Sequence, residues 1–286
     1  MIEIKDETDT AANGVNEVLK RTLKDFWTIT PVEYLNTNAY NEALANEGNK
    51  YAVLLAYDDE SSISVKHYST TKSMKQNVPG NPSAGSSMQA DGLPKHTSST
   101  KFYFSHYNLS VSLMNGKIPG TQVCTIAFAN ENINTSDLQF AIQQMARLIN
   151  ASLSGIKGLN YYDHKKNIEF VKTKTLLIPT ELFKEADLLK LKDSYKMPYR
   201  IVSLDEMNEL ALTRDDQYIY PKIIYSVQHR TYGWITVGPK EGNVTSFMAF
   251  GGFKFNTTVK ANEVIKTKDL NYIASSMAQG INNKYK

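Results

Sequence analysis

The chain has 286 residues, of which 41% are hydrophobic and 21% charged, and its formal net charge is +3. These values are typical of a globular protein that is long enough for one large domain or two ordinary ones. Because the positive excess is small and Lys is interspersed with Asp and Glu, we expect no nucleic-acid partner. No apolar run reaches the roughly 18 residues of a membrane-spanning helix, so no membrane span is expected.

The first half of the sequence predicts alternating strands and helices, followed by antiparallel strands and a last helix. Ile2–Ile4 is predicted as a strand and residues 11–24 as a helix. Residues 26–35 are predicted as a short strand that leads into a helix, and residues 51–57 as a buried strand. The later elements are strands at 101–113 and 122–129, and a helix for which Thr135 is placed as the N-cap.

The second half predicts the same order of elements. Residues 176–178 are predicted as a strand, 181–195 as a helix, and 199–207 as a strand that leads into a helix. A buried strand at 220–226 and further strands at 232–237 and 246–255 follow. The sequence therefore predicts an α/β fold of the mixed α+β kind, made of two tandem repeats that each pack helices on a mixed sheet.

The two halves also align directly at their ends. Residues 130–150 match residues 262–282 without a gap, with identity at ten of 21 positions. Chance pairing gives about one or two identities at ordinary residue frequencies. The shared residues are those of an amphipathic helix with a carboxylate in its first turn, Asp137 or Asp269, so they indicate structure rather than a site.

A polar insertion distinguishes the first repeat from the second. We place the first repeat at 1–155 with an insertion at 58–100, a linker at 156–166, and the second repeat at 167–286. The insertion is rich in Ser, Gly, Pro, Lys and Asn and has no apolar periodicity. Two interpretations stay open: a disordered loop, or a hairpin extension or partner-binding arm.

Catalytic and metal-binding motifs are missing from the sequence. Cys124 lies in an apolar run and is predicted to be a buried strand thiol. His67, His96 and His106 lie in or beside the insertion, but no two histidines have the spacing of a metal site, so no metal and no cofactor are predicted. Alternation puts His106 on the polar face of its strand, where we expect it at the surface or under a helix.

Two acidic pairs and the abundance of tyrosine bear on a possible role in binding. The acidic pairs 58–59 and 215–216 are interpreted as solvated turn residues. Tyr is abundant, with 17 residues, and suits both strand packing and exposed binding surfaces. If a binding surface exists, its candidate residues are His67, His96, His106, Tyr103, Tyr232 and Trp234.

The strand–helix patterns at 26–35 and 199–207, each leading to a buried strand, give an element order that resembles a class of known modules. It is similar to the small α/β modules of bacterial envelope proteins, such as the periplasmic part of the curli-secretion lipoprotein and the amino-terminal domain of the Tol-system propeller protein. The composition also resembles secreted proteins of Bacteroides-like bacteria. The resemblance implies a role in binding or assembly in the periplasm or at the cell surface. A removed leader and a lipid anchor outside the given chain both stay open.

The sequence therefore favours a non-catalytic binding or scaffold protein of the cell envelope with a protein partner. An enzyme or small-ligand binder stays open as the alternative. Its site would lie between the repeats and would use His67, His96 or His106 with nearby tyrosines.

Overall fold

The computed structural model describes residues 2–4, 10–69, 95–129, 131–156, 169–227, 231–249, 258–259, 264–266 and 270. Over these residues the protein has a mixed α/β fold with one large, mainly antiparallel sheet. The mixed fold class that the sequence predicts is confirmed. No helix in this part of the chain is long and apolar enough to cross a membrane.

The strands of the first half form a short parallel pair and a long antiparallel meander. β1 (Ile2–Ile4) pairs in parallel with β2 (Tyr34–Asn36). β3 (Ala52–Ser69) and β4 (Lys95–Asn115) then pair along their whole lengths, and β5 (Ile118–Phe128) returns along the other side of β4.

The strands of the second half form another short parallel pair and a second antiparallel meander. β6 (Thr175–Pro179) pairs in parallel with β7 (Tyr199–Val202). β8 (Tyr218–Ser226), β9 (Thr231–Gly238) and β10 (Asn243–Ala249) form a second antiparallel meander.

The two meanders join into one sheet of nine strands that also includes β6, β7 and β11 (Thr258–Val259). Among the described residues, β5 pairs with β8 where Phe128 faces Ile224. β6 continues along the same side of β8, and β11 continues along β4 beyond the end of β5. The order across the meanders is β3-β4-β5-β8-β9-β10.

Six helices with complete bounds accompany the sheet in the described residues: α1 (Thr10–Phe26), α2 (Thr37–Glu47), α3 (Thr135–Leu153), α4 (Glu185–Leu188), α5 (Leu191–Ser194) and α6 (Leu204–Thr213). α1, α3 and α6 pack on one face of the sheet, where their apolar side chains share a core with Leu109, Ile235 and Val237. We call this the α3 face. α4, α5 and Leu270 lie with a second core around Trp234 on the opposite face, because successive strand residues point to opposite sides.

Two predicted elements have a different form in the structure. Residues 26–29 do not form a strand, because α1 runs to Phe26 and the strand begins at Tyr34. Residues 181–195 do not form one helix but a 3-10 turn at Thr180–Leu182 followed by α4 and α5. The predicted strand and helix at 199–207 are confirmed, with Ser203 as the N-cap that accepts a hydrogen bond from the Glu206 amide.

The N-cap of α3 is one residue earlier than predicted. The Asn134 side chain accepts from the Asp137 amide, and the Asp137 carboxylate accepts from the Asn134 amide at 3.0 Å, which completes a capping box. Thr135 is the first helical residue instead. Its counterpart Thr267 and residues 271–282 of the matched segment lie outside the described residues.

A buried ion pair ties the start of α3 to the second meander. The Lys222 amine donates to the Asp137 carboxylate and, at 2.8 Å, to the Ser136 hydroxyl, which in turn donates to Asn208 of α6 at 2.7 Å. Lys222 has only 2% of its side chain exposed. Burial lowers the pKa of Lys222, and the neighbouring Asp137 carboxylate opposes that shift. The pair links an element of each half and is part of the scaffold.

The two ends of the polar insertion at 58–100 lie in strands that pair with neighbouring residues of one β3–β4 hairpin. β3 continues to Ser69, β4 starts at Lys95, and these two residues face each other. The hairpin interpretation therefore holds for 58–69 and 95–100, while residues 70–94 lie outside the described part of the chain. Of the linker placed at 156–166, residues 157–166 also lie outside it.

Cys124 is buried on β5 as predicted, and burial raises the pKa of its thiol to about 11. The unfolded thiol, with a pKa of 9.0, therefore ionises first as the pH rises, and between these two values the thiolate forms more readily in the unfolded chain. We expect the native protein to react with a disulfide reagent at pH 8 far more slowly than the denatured protein. A spectrophotometric thiol titration with and without denaturant measures this; equal rates in the two states would contradict the assignment.

Candidate functional site

A polar strip runs along β4 on the face of the sheet opposite to α3. The strip consists of His106, Asn108, Ser110 and Ser112, which are all buried. The alternate residues of β4, including Leu109 and Val111, face the α3 core. A polar strip inside a folded sheet is unusual, because burying a polar group is unfavourable unless it is hydrogen-bonded.

A bridge between two outer strands covers part of this strip. The Gln122 amide of β5 donates to the Tyr57 hydroxyl of β3 at 2.7 Å. Since β4 lies between β3 and β5, these two side chains meet above it. Gln122 is exposed and Tyr57 half-buried, so the bridge forms the outer surface of the strip.

Three polar groups beneath this surface have no hydrogen-bond partner among the described residues. They are the Asn108 amide oxygen, the Ser110 hydroxyl and the Thr125 hydroxyl. Ser110 and Thr125 face each other across β4 and β5, and Asn108 lies two residues further along β4. Neighbouring unsatisfied groups on one face are the places where a polar ligand or a bridging water binds.

Asp59 of β3 forms the exposed edge of the strip. Its carboxylate accepts from the Asn108 amide at 3.2 Å and lies 3.7 Å from Nε2 of His106. The Asp59 side chain is 52% exposed, whereas that of His106 is only 4% exposed. The anionic group therefore faces solvent and the imidazole lies behind it.

An aromatic cluster continues the strip into the second half of the chain. The His106 ring stacks on Tyr225 of β8, with 4.3 Å between ring centroids and 18° between the planes. The Tyr225 hydroxyl is hydrogen-bonded to Ser61, and the Tyr232 hydroxyl donates to the Ser105 carbonyl. Tyr225 and Tyr232 contact each other edge-on at 5.3 Å. We call these residues together with the polar strip, Tyr57, Asp59, Gln122 and Thr125 the polar face.

The geometry of the polar face suits binding better than proton transfer. In a catalytic Asp–His pair the buried carboxylate orients an accessible imidazole. Here the order is reversed, because Tyr225 covers the imidazole and Asp59 is the accessible group. The nearby Ser61 hydroxyl is bonded to Tyr225 rather than to His106.

No family model, curated protein or solved structure matches this chain. We therefore infer function from the geometry of the described residues. Within the described residues, no three His, Cys, Asp or Glu side chains lie close enough together to hold a metal ion.

The structure brings two of the six candidate residues into this cluster. His106 and Tyr232 both contact Tyr225. His106 is neither exposed nor, in the described residues, covered by a helix, because a tyrosine of the neighbouring meander covers it instead. Tyr103 lies on β4 with the Lys101 amine 4.9 Å from its ring centre.

The other three candidate residues lie elsewhere or are described only by their backbone. Trp234 is 1% exposed in the second core, where its indole N–H has no partner among the described residues. His67 and His96 lie in the outer part of the β3–β4 hairpin, where they face Ser98 and Tyr68. Their side chains lie outside the described part of the structure.

Sequence reasoning missed Asp59, Tyr57, Gln122 and Tyr225. Asp59 was interpreted as a turn residue, yet it lies in the middle of the 18-residue strand β3. Asp215, interpreted in the same way, does accept from the Gln217 amide in a turn. The alternation of polar residues on β4 could have indicated this site in the sequence, since it marks the face of the sheet on which the four missed residues meet.

A small apolar cavity of about 40 Å³ lies on the α3 face between β1, the end of α1 and β3. Its lining includes Ile2, Leu23, Trp27 and Ile142. A space of this size holds only a few water molecules, and it carries no charged group. It is a packing gap of the core rather than a ligand site.

Proposed function

We propose that the protein is a non-catalytic binding or scaffold protein of the bacterial cell envelope, built from two duplicated α/β modules, that presents its polar face to a protein partner. One observation carries the proposal. Polar and aromatic side chains, with Asp59 and Gln122 at the surface, occupy one face of the first meander, whereas β9 in the middle of the second meander is buried at nearly every position. The envelope location rests on the resemblance of the element order alone.

The element order and the packing of the two halves support the duplication. In each half a parallel strand pair precedes a helix, a three-stranded meander and a further helical position. Leu138 and Leu270, which align between the halves, are buried in the two different cores. These two aligned positions thus lie on opposite faces of the sheet. α6 of the second half packs on the α3 face together with α1 and α3.

The difference between the modules supports the choice of surface. β9 is buried at nearly every position and uses both of its faces for packing. β3 is exposed at residues 58–60, and its partner strand β4 carries the polar strip. Duplicated modules that share a scaffold differ where their tasks differ, and here that place is the polar face with its hairpin.

Site-specific photo-crosslinking tests the proposed surface. A benzophenone amino acid at position 57 or 122 is expected to capture one discrete partner protein when the full chain is produced in its native cells. The same residue at position 209, which is exposed on α6, serves as the matched control and is expected to capture none.

The pattern across the three positions decides the outcome. Capture of one protein from 57 and 122 but not from 209 supports a partner on the polar face. Equal capture from all three positions, or from none, contradicts the proposal.

A second candidate function is the binding of a small polar ligand, which we place on the first-half part of the polar face rather than between the two halves. It is favoured by the unsatisfied groups of Asn108, Ser110 and Thr125 beneath the Tyr57–Gln122 bridge. A thermal-shift screen of small polar molecules should then find one that raises the Tm of the wild-type protein but not of an Asn108→Ala variant. A screen without any such shift, or an equal shift in the variant, would count against this function.

A further inference from the structure

The bridge between Tyr57 and Gln122 passes directly above Ser110. Tyr57 faces Asn108 in the β3–β4 register. Gln122 faces Ser112 in the β4–β5 register. Ser110 lies between Asn108 and Ser112 on the same face of β4, so the 2.7 Å hydrogen bond of the bridge closes over its hydroxyl. Gln122 is exposed, and its side chain can therefore leave this position without passing through the core.

Asn108 presents a hydrogen-bond acceptor beneath the bridge. Its amide nitrogen donates to the Asp59 carboxylate at 3.2 Å. Because a carboxylate only accepts, this contact fixes which way the amide points and leaves the amide oxygen as the atom without a partner among the described residues. Asn108 is only 2% exposed. A molecule bound here must therefore supply a hydroxyl or N–H donor to this oxygen.

The other two groups without a described partner are the hydroxyls of Ser110 and Thr125. The two residues face each other across β4 and β5, which places their Cβ atoms about 5 Å apart. Asn108 lies two residues along β4 from Ser110, a distance of about 7 Å. Each hydroxyl can both donate and accept a hydrogen bond. The three groups together match a small molecule that carries several hydroxyl groups.

The surroundings of these groups favour a neutral ligand. Leu55 faces Ser110 on the same side of the sheet. Ala127 faces Asn108, so carbon surfaces flank the polar groups on both sides. An anion would meet the Asp59 carboxylate, which is a like charge at the edge of the strip. A cation would exchange its water shell for three neutral partners, which is unfavourable in a buried place.

We propose that the part of the polar face beneath the Tyr57–Gln122 bridge binds a neutral polyol. One hydroxyl of the polyol donates to the Asn108 oxygen, and others pair with the Ser110 and Thr125 hydroxyls. Binding opens the bridge and supplies the partners that these groups lack in the described residues of the free protein. The inference rests on the second candidate function, for which it names the class of ligand, and it is independent of a protein partner.

Titration of the full chain with glycerol, myo-inositol and glucose, followed by nuclear magnetic resonance, tests the proposal. We expect at least one of these probes to bind the wild type. Ser110→Ala and Thr125→Val are each expected to raise its Kd about threefold to tenfold, because each removes one hydrogen bond to the polyol. Ser152→Ala, an exposed change on α3, is the matched control and is expected to leave the Kd unchanged.

The stability of the free variants separates a ligand site from a structural contact. Replacing an unpartnered buried hydroxyl by an apolar group of similar shape is neutral or stabilising. Without any probe, Ser110→Ala and Thr125→Val are therefore expected to have an unchanged or higher Tm. A lower Tm in either variant would mean that its hydroxyl already has a partner in the free protein, and would overturn the proposal.

Charged probes separate the class of ligand from the site. Glucuronate, an anion, and choline, a cation with one hydroxyl, are expected not to bind beneath the bridge. Binding of a charged probe alone, weakened in Ser110→Ala and Thr125→Val, would overturn the polyol assignment while the second candidate function stands. No binding by any of the three polyols, or equal Kd values for the wild type and both variants, would also overturn it.

Discussion

Replacing Asp137 with alanine is expected to lower the free energy of unfolding by about 3–5 kcal/mol, because it leaves a buried ammonium without its anionic partner. Lys222 is 2% exposed, and its contacts in the described residues are Asp137, the Ser136 hydroxyl and the Tyr220 ring. The change also removes one arm of the α3 capping box.

Three comparison variants separate the ion pair from the cap. Asn134→Ala removes the cap alone and is expected to cost about 1 kcal/mol. Lys222→Met should cost less than Asp137→Ala, because Asp137 keeps the Asn134 amide as a donor. Asp137→Asn combined with Lys222→Met should recover most of the loss, as buried pairs replaced by neutral groups often do.

Urea unfolding of these variants measures the differences. An Asp137→Ala variant no less stable than Asn134→Ala would contradict the role of the pair. The pH dependence gives an independent check. Burial lowers the pKa of Lys222 below its unfolded value of 10.5, and Asp137 opposes this shift, so the variant lowers the pKa further.

The sign of the pH effect follows from proton counting. Between the lowered pKa in the folded variant and the unfolded value of 10.5, the unfolded chain binds more protons, so stability rises with pH. The deficit of Asp137→Ala relative to the wild type is therefore expected to shrink as the pH rises toward 10.5. A deficit that stays constant or grows over this range would contradict the stabilisation of the Lys222 ammonium by Asp137 in the folded protein.

Replacing Ile142 with alanine is expected to lower the free energy of unfolding by about 2–5 kcal/mol. Ile142 of α3 has no exposed surface and belongs to the core that Leu23 of the first half shares with Leu177 and Ile235 of the second. Because this core includes both halves, we expect one cooperative transition that shifts as a whole rather than two separate transitions.

Calorimetry and two optical probes measure this prediction. Ile118→Ala is the matched control, since Ile118 is 70% exposed and should change stability by only about 0.5 kcal/mol or less. Two resolved transitions, of which only one shifts in Ile142→Ala, would mean that the modules fold independently.

Short-range patterns predicted much of the fold. β1, β6, β7 and β9 were found within a residue or two, because strand alternation and turn residues mark them locally. The helix predicted at 181–195 was wrong because tertiary packing overrides the local pattern there. Leu191 and Tyr195 satisfy helical spacing and are both buried in the second core, but they belong to α5 and its C-cap, which are separate from α4, rather than to one continuous helix.

The joining of the two meanders had no local signal. In the described part of the chain it depends on the facing pair of Phe128 and Ile224, which are 96 positions apart in the sequence. The boundaries placed at 155 and 167 stay a prediction, because residues 157–168 lie outside the described part of the chain.

The polar face was predictable only in part. The alternation of His106, Asn108, Ser110 and Ser112 on β4 is visible in the sequence. The partners Tyr57, Asp59, Gln122 and Tyr225 come from three other strands, and only the register brings them together. Asp59 in particular was misassigned because two adjacent acidic residues are more common in turns than in strands.

Measuring the affinity of the captured partner most directly tests whether the polar face is its binding surface. The protein captured at position 57 is purified, and its Kd is measured by calorimetry for the wild type, for Tyr57→Ala combined with Gln122→Ala, and for the control Glu209→Ala. We expect a Kd at least about tenfold higher for the double variant and an unchanged Kd for the control. Equal Kd values for all three proteins would contradict binding at the polar face.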